Sequence, residues 1–167
     1  MKYRNIALVA VLLMIMVGCV VPSYTYMTLE VDSIDLFENV QPTTNELIVI
    51  DDTLYIRAVV PPTGVAWVPS TALPGGGDNI LLVGHNAKEA FGRLDEVELG
   101  DKITISINFT EHTYYVTQLR IIPSKGISKE TRNRLGYLLG STGNEQVTLF
   151  TCHGKGSTHR LLIIGEK

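Results

Sequence analysis

Near the C-terminus, Val147-Thr-Leu-Phe-Thr-Cys152-His-Gly-Lys-Gly-Ser-Thr-His-Arg160 runs directly into Leu161-Leu-Ile-Ile164. Two short runs of β-branched and apolar residues, 147–151 and 161–164, flank a polar link that holds Gly154 and Gly156. This pattern predicts two antiparallel strands joined by a loop. Cys152 falls where the first strand ends and Arg160 where the second begins, so the hairpin brings a thiol and a guanidinium together. Their separation, 160 − 152 = 8 residues, suits partners facing each other across a loop rather than along one element. A thiol becomes a strong nucleophile as thiolate, and nearby cations favour that form. Lys155, Arg160, His153 and His159 all lie in this segment. The hairpin alone admits a plainer reading as well, in which Cys152 is a small apolar residue closing a core strand.

The N-terminus decides between these. Lys2 and Arg4 precede an uncharged run from Ile6 to Val21, which Pro22 ends. A positive start followed by an apolar run is an export signal. The run is short for a membrane-spanning helix, which needs about 17–25 residues, and long for the core of a cleaved signal. Three readings of residues 1–22 stand: an uncleaved anchor, a cleaved signal, or a lipoprotein signal. The third rests on Met16-Val-Gly-Cys19, which resembles a lipobox whose cysteine becomes lipidated. All three place the rest of the chain outside the cytoplasm, and the anchor and lipoprotein readings hold it at the cell membrane with the domain extracellular. The chain has only two cysteines, and Cys19 belongs to the export segment. Cys152 therefore has no disulfide partner in an oxidising compartment, where a thiol is a liability unless it is buried or used. That favours use.

Composition narrows the partners. Charged residues make up 19% of the chain, and 17 acids against 14 bases leave a formal charge of −3. Nothing there suits nucleic acid, and no phosphate loop, dinucleotide fingerprint or paired zinc-ligand spacing occurs. We expect no cofactor and no metal.

Residues 23–45 mix Ser, Thr, Pro, Asn and acidic residues and read as a spacer, part of which packs on the domain. Residues 46–167 read as that domain. Leu47–Ile50 and Thr53–Val60 are strand-like runs around the turn signal Asp51-Asp52. Pro61, Pro62, Gly64 and Pro69 break the chain into loop, with Val65, Trp67 and Val68 packing it onto the core. Leu73-Pro-Gly-Gly-Gly-Asp-Asn79 leads into the apolar run Ile80–Val83, a buried strand, and His85 stands at its mouth. By itself His85 is either a surface residue or an acid/base aimed from a rigid element. Ala87–Leu99 accommodates a helical turn. Gly100-Asp101 opens a strand over 102–109, Glu111-His112 forms the next turn, and 113–122 is the returning strand. Residues 123–146 form a long connection with a short helix over 128–139; connections of that length are usually functional. With seven to eight short strands and short helices in the connections, the fold class is mostly β, a closed β-barrel.

Taken together, these pieces resemble the sortases, membrane-anchored cysteine transpeptidases, with a class D, E or F character. Thr148-Leu-Phe-Thr-Cys152 matches the family's Thr-Leu-x-Thr-Cys motif at every fixed position. His85, in Leu82-Val-Gly-His-Asn86, falls where the family keeps its catalytic histidine, and Arg160 where it keeps its arginine. Phe91-x-x-Leu94 and Gly100-Asp101 also resemble the run that follows that histidine. The match extends from about Leu47 to Ile164.

The resemblance implies that Cys152 attacks a Thr carbonyl in a Leu-Pro-x-Thr-Gly-like C-terminal sorting signal and forms a thioester. It implies that His85 protonates the leaving amine and later deprotonates the incoming one. Arg160 would hold the substrate backbone or stabilise the oxyanion. The implied partners are surface proteins that carry the signal and an amine acceptor, either a peptidoglycan precursor or a pilin lysine. Thr151, Leu135, Leu138 and Leu139 would line the groove. His153 adjoins Cys152 and points to the opposite face if the strand continues, whereas spacing alone leaves His159 as a rival base. Two alternatives remain: an exported cysteine peptidase that only hydrolyses, and a non-catalytic surface-binding lipoprotein.

Overall fold

The computed structural model describes residues 26–43, 47–50, 53–56, 60–124, 128, 130, 136 and 138–167. The strands are β1 (Met27–Val31), β2 (Leu36–Pro42), β3 (Leu47–Ile50), β4 (Thr53–Ile56) and β5 (Val65–Trp67). They continue with β6 (Asn79–Gly84), β7 (Lys102–Ile107), β8 (Thr110–Pro123), β9 (Gln146–His153) and β10 (His159–Glu166). Eight of them close a barrel in the order β1-β2-β5-β6-β9-β10-β8-β7, and β3 and β4 pair as a separate two-stranded sheet. Pairing within the barrel is antiparallel except for β2 with β5 and β6 with β9.

Period-two alternation sorts the side chains into two cores. One face of β9 and β10 sends Val147, Leu149, Leu161 and Ile163 into the barrel, where they meet Leu29, Ile80, Leu82, Ile103, Ile105 and Tyr114. The other face sends Phe150 and Leu162 outward against Ala66, Val68, Leu81, Val83, Leu138 and Leu139. Both faces of β6 are thus covered and all six of its residues are buried. This is why its sequence reads as an unbroken apolar run.

The 130s connection is helical at Glu130, Gly136, Leu138 and Leu139. Its end is fastened by buried polar groups. Asn79 Nδ2 donates to the Leu138 carbonyl at 3.1 Å, and Thr148 Oγ1 lies 2.9 Å from Asn79 Oδ1. Asp78 accepts from the backbone N–H groups of Asn79, Thr142 and Gly143 at 2.8, 2.6 and 3.2 Å. Together with the Ser141 hydroxyl, these bonds hold its carboxyl well below the usual range.

Several expectations are corrected here. Residues 27–42 are not spacer: β1 and β2 are two of the eight barrel strands, so the domain begins before residue 46. Glu30, Phe37 and Gln41 are exposed and blur the alternation, while Leu29, Val31, Leu36 and Val40 are buried. The segment around Trp67 is a strand rather than loop, and Trp67 Nε1 donates to the Ala72 carbonyl at 2.9 Å. The turn after β7 falls at Asn108-Phe109, not at Glu111-His112, because both residues adopt left-handed backbone at φ 49° and 68°. His112 consequently lies within β8, paired with Ile105, and its ring sits beside Gly75. Thr53–Ile56 does pair with Leu47–Ile50, but outside the barrel. Residues 1–22, with Cys19, lie outside the described residues; among the described residues no helix is long and apolar enough to cross a membrane.

A polar plug sits at the start of β9. Glu145 Oε1 accepts from Tyr114 Oη at 2.8 Å, Gly75 N at 3.0 Å and Lys167 Nζ at 2.8 Å. Burial would raise the carboxyl, but the bonds from Lys167, Tyr114 and Gly75 outweigh it and hold it down at about 2. Burial, and then the bond to Glu145, pushes the Tyr114 phenol upward, so it remains a donor. The depressed carboxyl stabilises the fold above its unfolded value of 4.5, and this contribution is lost as pH falls toward 2. Urea midpoints should therefore drop across that window. Glu145→Gln should lower stability at neutral pH and flatten the drop, and an unchanged acid slope would show that the plug is not responsible.

Candidate active site

The site is built where three strand ends meet. Cys152 on β9 is directly opposite Arg160 on β10 in the cross-strand register, and Ile122 on β8 is opposite Arg160 on the other side. Cys152 is half-buried and forms no disulfide. Its face follows from the alternation. Phe150, two residues before it, and Leu162, two residues after Arg160, both belong to the outer apolar cluster. Leu81 and Val83 on β6 belong to the same cluster, which puts His85 on that side one residue past the end of β6. The strand register thus gathers His85, Cys152 and Arg160 at one end of one face.

Local chemistry holds the backbone beneath them. Thr151 is 2% exposed and its hydroxyl donates to the Gly84 carbonyl at 2.9 Å, tying β9 to the strand end that carries His85. Gly84 has no Cβ because none fits: one would lie 2.8 Å from Phe91 Cδ2. Phe91 N in turn donates to the His85 carbonyl at 2.9 Å, closing the loop that follows β6. Phe91 and Leu94 are fully buried there. Arg93 staples this loop to the β1–β2 turn, donating through Nη1 to the Ile34 carbonyl at 2.9 Å while pairing with Glu96 at 2.7 Å.

The β9–β10 turn aims the guanidinium. Gly154, Gly156 and Ser157 have φ of 76°, 68° and 56°, a left-handed course that glycine takes without cost. It presents the Ser157 and His159 carbonyls to Arg160 Nη1 at 2.8 and 2.9 Å. The Nε and Nη2 donors make no hydrogen bond to the described residues. They leave one edge of a planar, permanently charged fork for an acceptor from outside.

The histidines separate cleanly. His153 and His159 are a cross-strand pair in register, one residue off Cys152 and Arg160 and hence on the opposite face. His159 Nδ1 is 3.0 Å from Thr158 Oγ1. His159, a rival on spacing, thus faces away from the thiol. Among the groove residues, Leu138 is half-buried and Leu139 fully buried in the outer cluster, and Leu135 lies outside the described residues.

Thr151 is corrected: it is an internal clamp rather than a surface that a ligand reaches. Thr151→Val leaves the buried Gly84 carbonyl without its donor and should cost about 1–3 kcal/mol, measurable by thermal unfolding. A ligand-contact role would instead leave the melting temperature unchanged. Phe150, Leu162 and Ile122, which flank the thiol and the guanidinium, carry no motif signal in the sequence. Counting two residues back from Cys152 and two on from Arg160 finds the first two.

The sortase domain model matches residues 29–167. Among solved structures, sortase A from Corynebacterium diphtheriae superposes with a TM-score of 0.63 at 21% identity, over 85% of this chain and 60% of that one. Sortase C1 from Streptococcus agalactiae gives 0.62 at 27% identity, over 83% and 65%. Sortase C from Clostridium perfringens SM101 gives 0.61 at 24%, over 86% and 70%. This chain therefore spans less than two thirds of the first and second of these. No curated protein matches the sequence. With the family model running from within β1 through every later barrel strand to Lys167, the chain belongs to the sortase family.

Proposed function

We propose that this protein is a membrane-tethered cysteine transpeptidase acting outside the cytoplasm, with Cys152, His85 and Arg160 as its catalytic residues. The observation that carries the reading is the cross-strand pairing of Cys152 with Arg160, with His85 at the adjoining strand end on the same face. Family membership supports the reaction class. The Cys152 thiolate attacks the Thr carbonyl of a Leu-Pro-x-Thr-Gly-like signal. The C–S bond forms, the Thr–Gly C–N bond breaks, and His85 gives its proton to the departing amine. An acceptor amine then attacks the thioester, His85 takes its proton, and the thiolate leaves. Arg160, pinned at Nη1, offers its remaining edge to the substrate carbonyl or to the oxyanion. The apolar floor beside Cys152, formed by Phe150, Ile122 and Leu138, suits the Leu-Pro part of the signal. Surface proteins with such a signal are the donors, a peptidoglycan precursor or a pilin lysine is the acceptor, and the apolar run of residues 6–21 is the tether.

Transfer and hydrolysis share the thioester and differ in what resolves it. Positioning an amine beside it is worth an effective molarity of up to about 10⁵ M or more, enough to outcompete water. Adding oligoglycine or a diaminopimelate-containing stem peptide should thus divert the acyl-enzyme into a ligated product as hydrolysis falls. Mass spectrometry quantifies both products. Hydrolysis alone with every acceptor in the panel would make the protein a peptidase on a sortase barrel.

A further inference from the structure

The hairpin tip between β7 and β8 carries a feature that folding does not require. Phe109 sits there in left-handed backbone, φ 68°, where glycine is the ordinary choice and a bulky residue is strained. Its side chain is nevertheless 93% exposed, so the ring buries almost nothing against the protein. Tyr26, itself 51% exposed, stacks on it with 6.3 Å between ring centroids. Two bonds fix the contact: Asn108 N donates to the Tyr26 carbonyl at 2.9 Å, and Tyr26 N to Asn108 Oδ1 at 3.3 Å. Tyr26 follows closely on the apolar run that Pro22 ends. The gap is 26 − 22 = 4 residues, at most about 14 Å of extended chain.

We propose that the Tyr26–Phe109 pair is a bilayer contact at headgroup depth that sets how the barrel stands on the membrane. This rests on the tethering of residues 6–21 proposed above. Within so short a reach the tip cannot leave the surface that the apolar run enters. An aromatic pair with one phenol is the chemistry that settles at a lipid–water boundary. The charges nearest the tip are acidic, Glu111 on the same hairpin and Glu30 on β1; Lys102 on β7 reaches both electrostatically, and the whole chain is at −3. The contact is therefore apolar and suits zwitterionic headgroups. The tip lies at the Thr110 end of β8, whereas Ile122, beside Arg160, is near the other. The step of 122 − 110 = 12 residues is at most about 40 Å of strand contour, less where the register shifts at Ile164/Gly165, and it sets the Cys152 end apart from the tip on the bilayer.

The test uses the full chain in phosphatidylcholine vesicles, with Phe109→Trp and Leu99→Trp compared above the background of the native Trp67. Leu99 is also exposed, at 65%, but precedes the far end of β7. Vesicle binding should blue-shift Phe109→Trp, lipids brominated near the headgroup should quench it, and Leu99→Trp should stay as it is in buffer. Equal emission at both positions, with the chain floating with the vesicles, overturns the contact and spares the tether. A chain that does not float overturns both. Phe109→Gly should keep or raise the melting temperature, and a clear drop would show that the ring serves the fold instead.

Discussion

Cys152→Ala should abolish cleavage of a Leu-Pro-x-Thr-Gly peptide and leave the barrel folded. Everything chemical in the proposed reaction passes through one sulfur atom, with no second thiol in the described residues to replace it. Losing a nucleophile that acts together with its base costs on the order of 10⁶-fold, far below the detection limit of a fluorogenic assay. The structural cost is small by comparison. Cys152 is half-buried at a strand end, its backbone is held by the register with Arg160, and alanine keeps that register. The comparison is best made by intact-mass detection of the acyl-enzyme, which should appear in the parent and vanish in the variant. Full activity in the alanine variant would end the transpeptidase reading. Inactivity of the parent on a single peptide would point to a different signal.

The histidines offer the second large effect. His85→Ala should lower turnover by about 10²–10⁴-fold, the usual cost of removing a positioned acid/base. His153→Ala and His159→Ala should retain most of the activity, because that pair faces away from the thiol. His112→Ala should do the same, since it sits in β8 beside Gly75. Single-turnover kinetics with an activated ester would sharpen the result: a good leaving group needs no proton, so His85→Ala should recover acylation preferentially. A mild His85→Ala beside an inactive His159→Ala would move the base to the other face.

The hairpin from 147 to 164 was legible because its signals were local. Alternation set the register, and glycines marked the turn, so Cys152 and Arg160 could be paired without knowing the rest of the barrel. His85 was legible only as the residue after a buried strand; that β6 lies beside β9 is a parallel, long-range pairing that no local pattern encodes. The first two strands were missed for a different reason. β1 is buried on both faces apart from Glu30, and β2 buries only Leu36 and Val40, so neither shows a clean alternation, and Glu30 and Glu38 make the stretch look like linker. The β7–β8 turn was misplaced because Phe109 occupies a backbone conformation that turn rules reserve for Gly or Asn. Thr151 reads from the sequence as a ligand contact, because a motif position does not say which way its hydroxyl points.

Placing β1 inside the barrel has a mechanical consequence. The strand is paired along all five of its residues with β2 on one side and with β7 on the other. In the proposed reaction, with the proposed tether, a surface protein held on Cys152 and dragged by flow or by a growing fibre would pull against residues ahead of Met27. That load runs along β1 and is met in shear by both ladders at once, so their bonds must fail together instead of peeling apart one by one. A first strand hanging at a sheet edge would unzip under the same tug, whereas this one acts as a rivet.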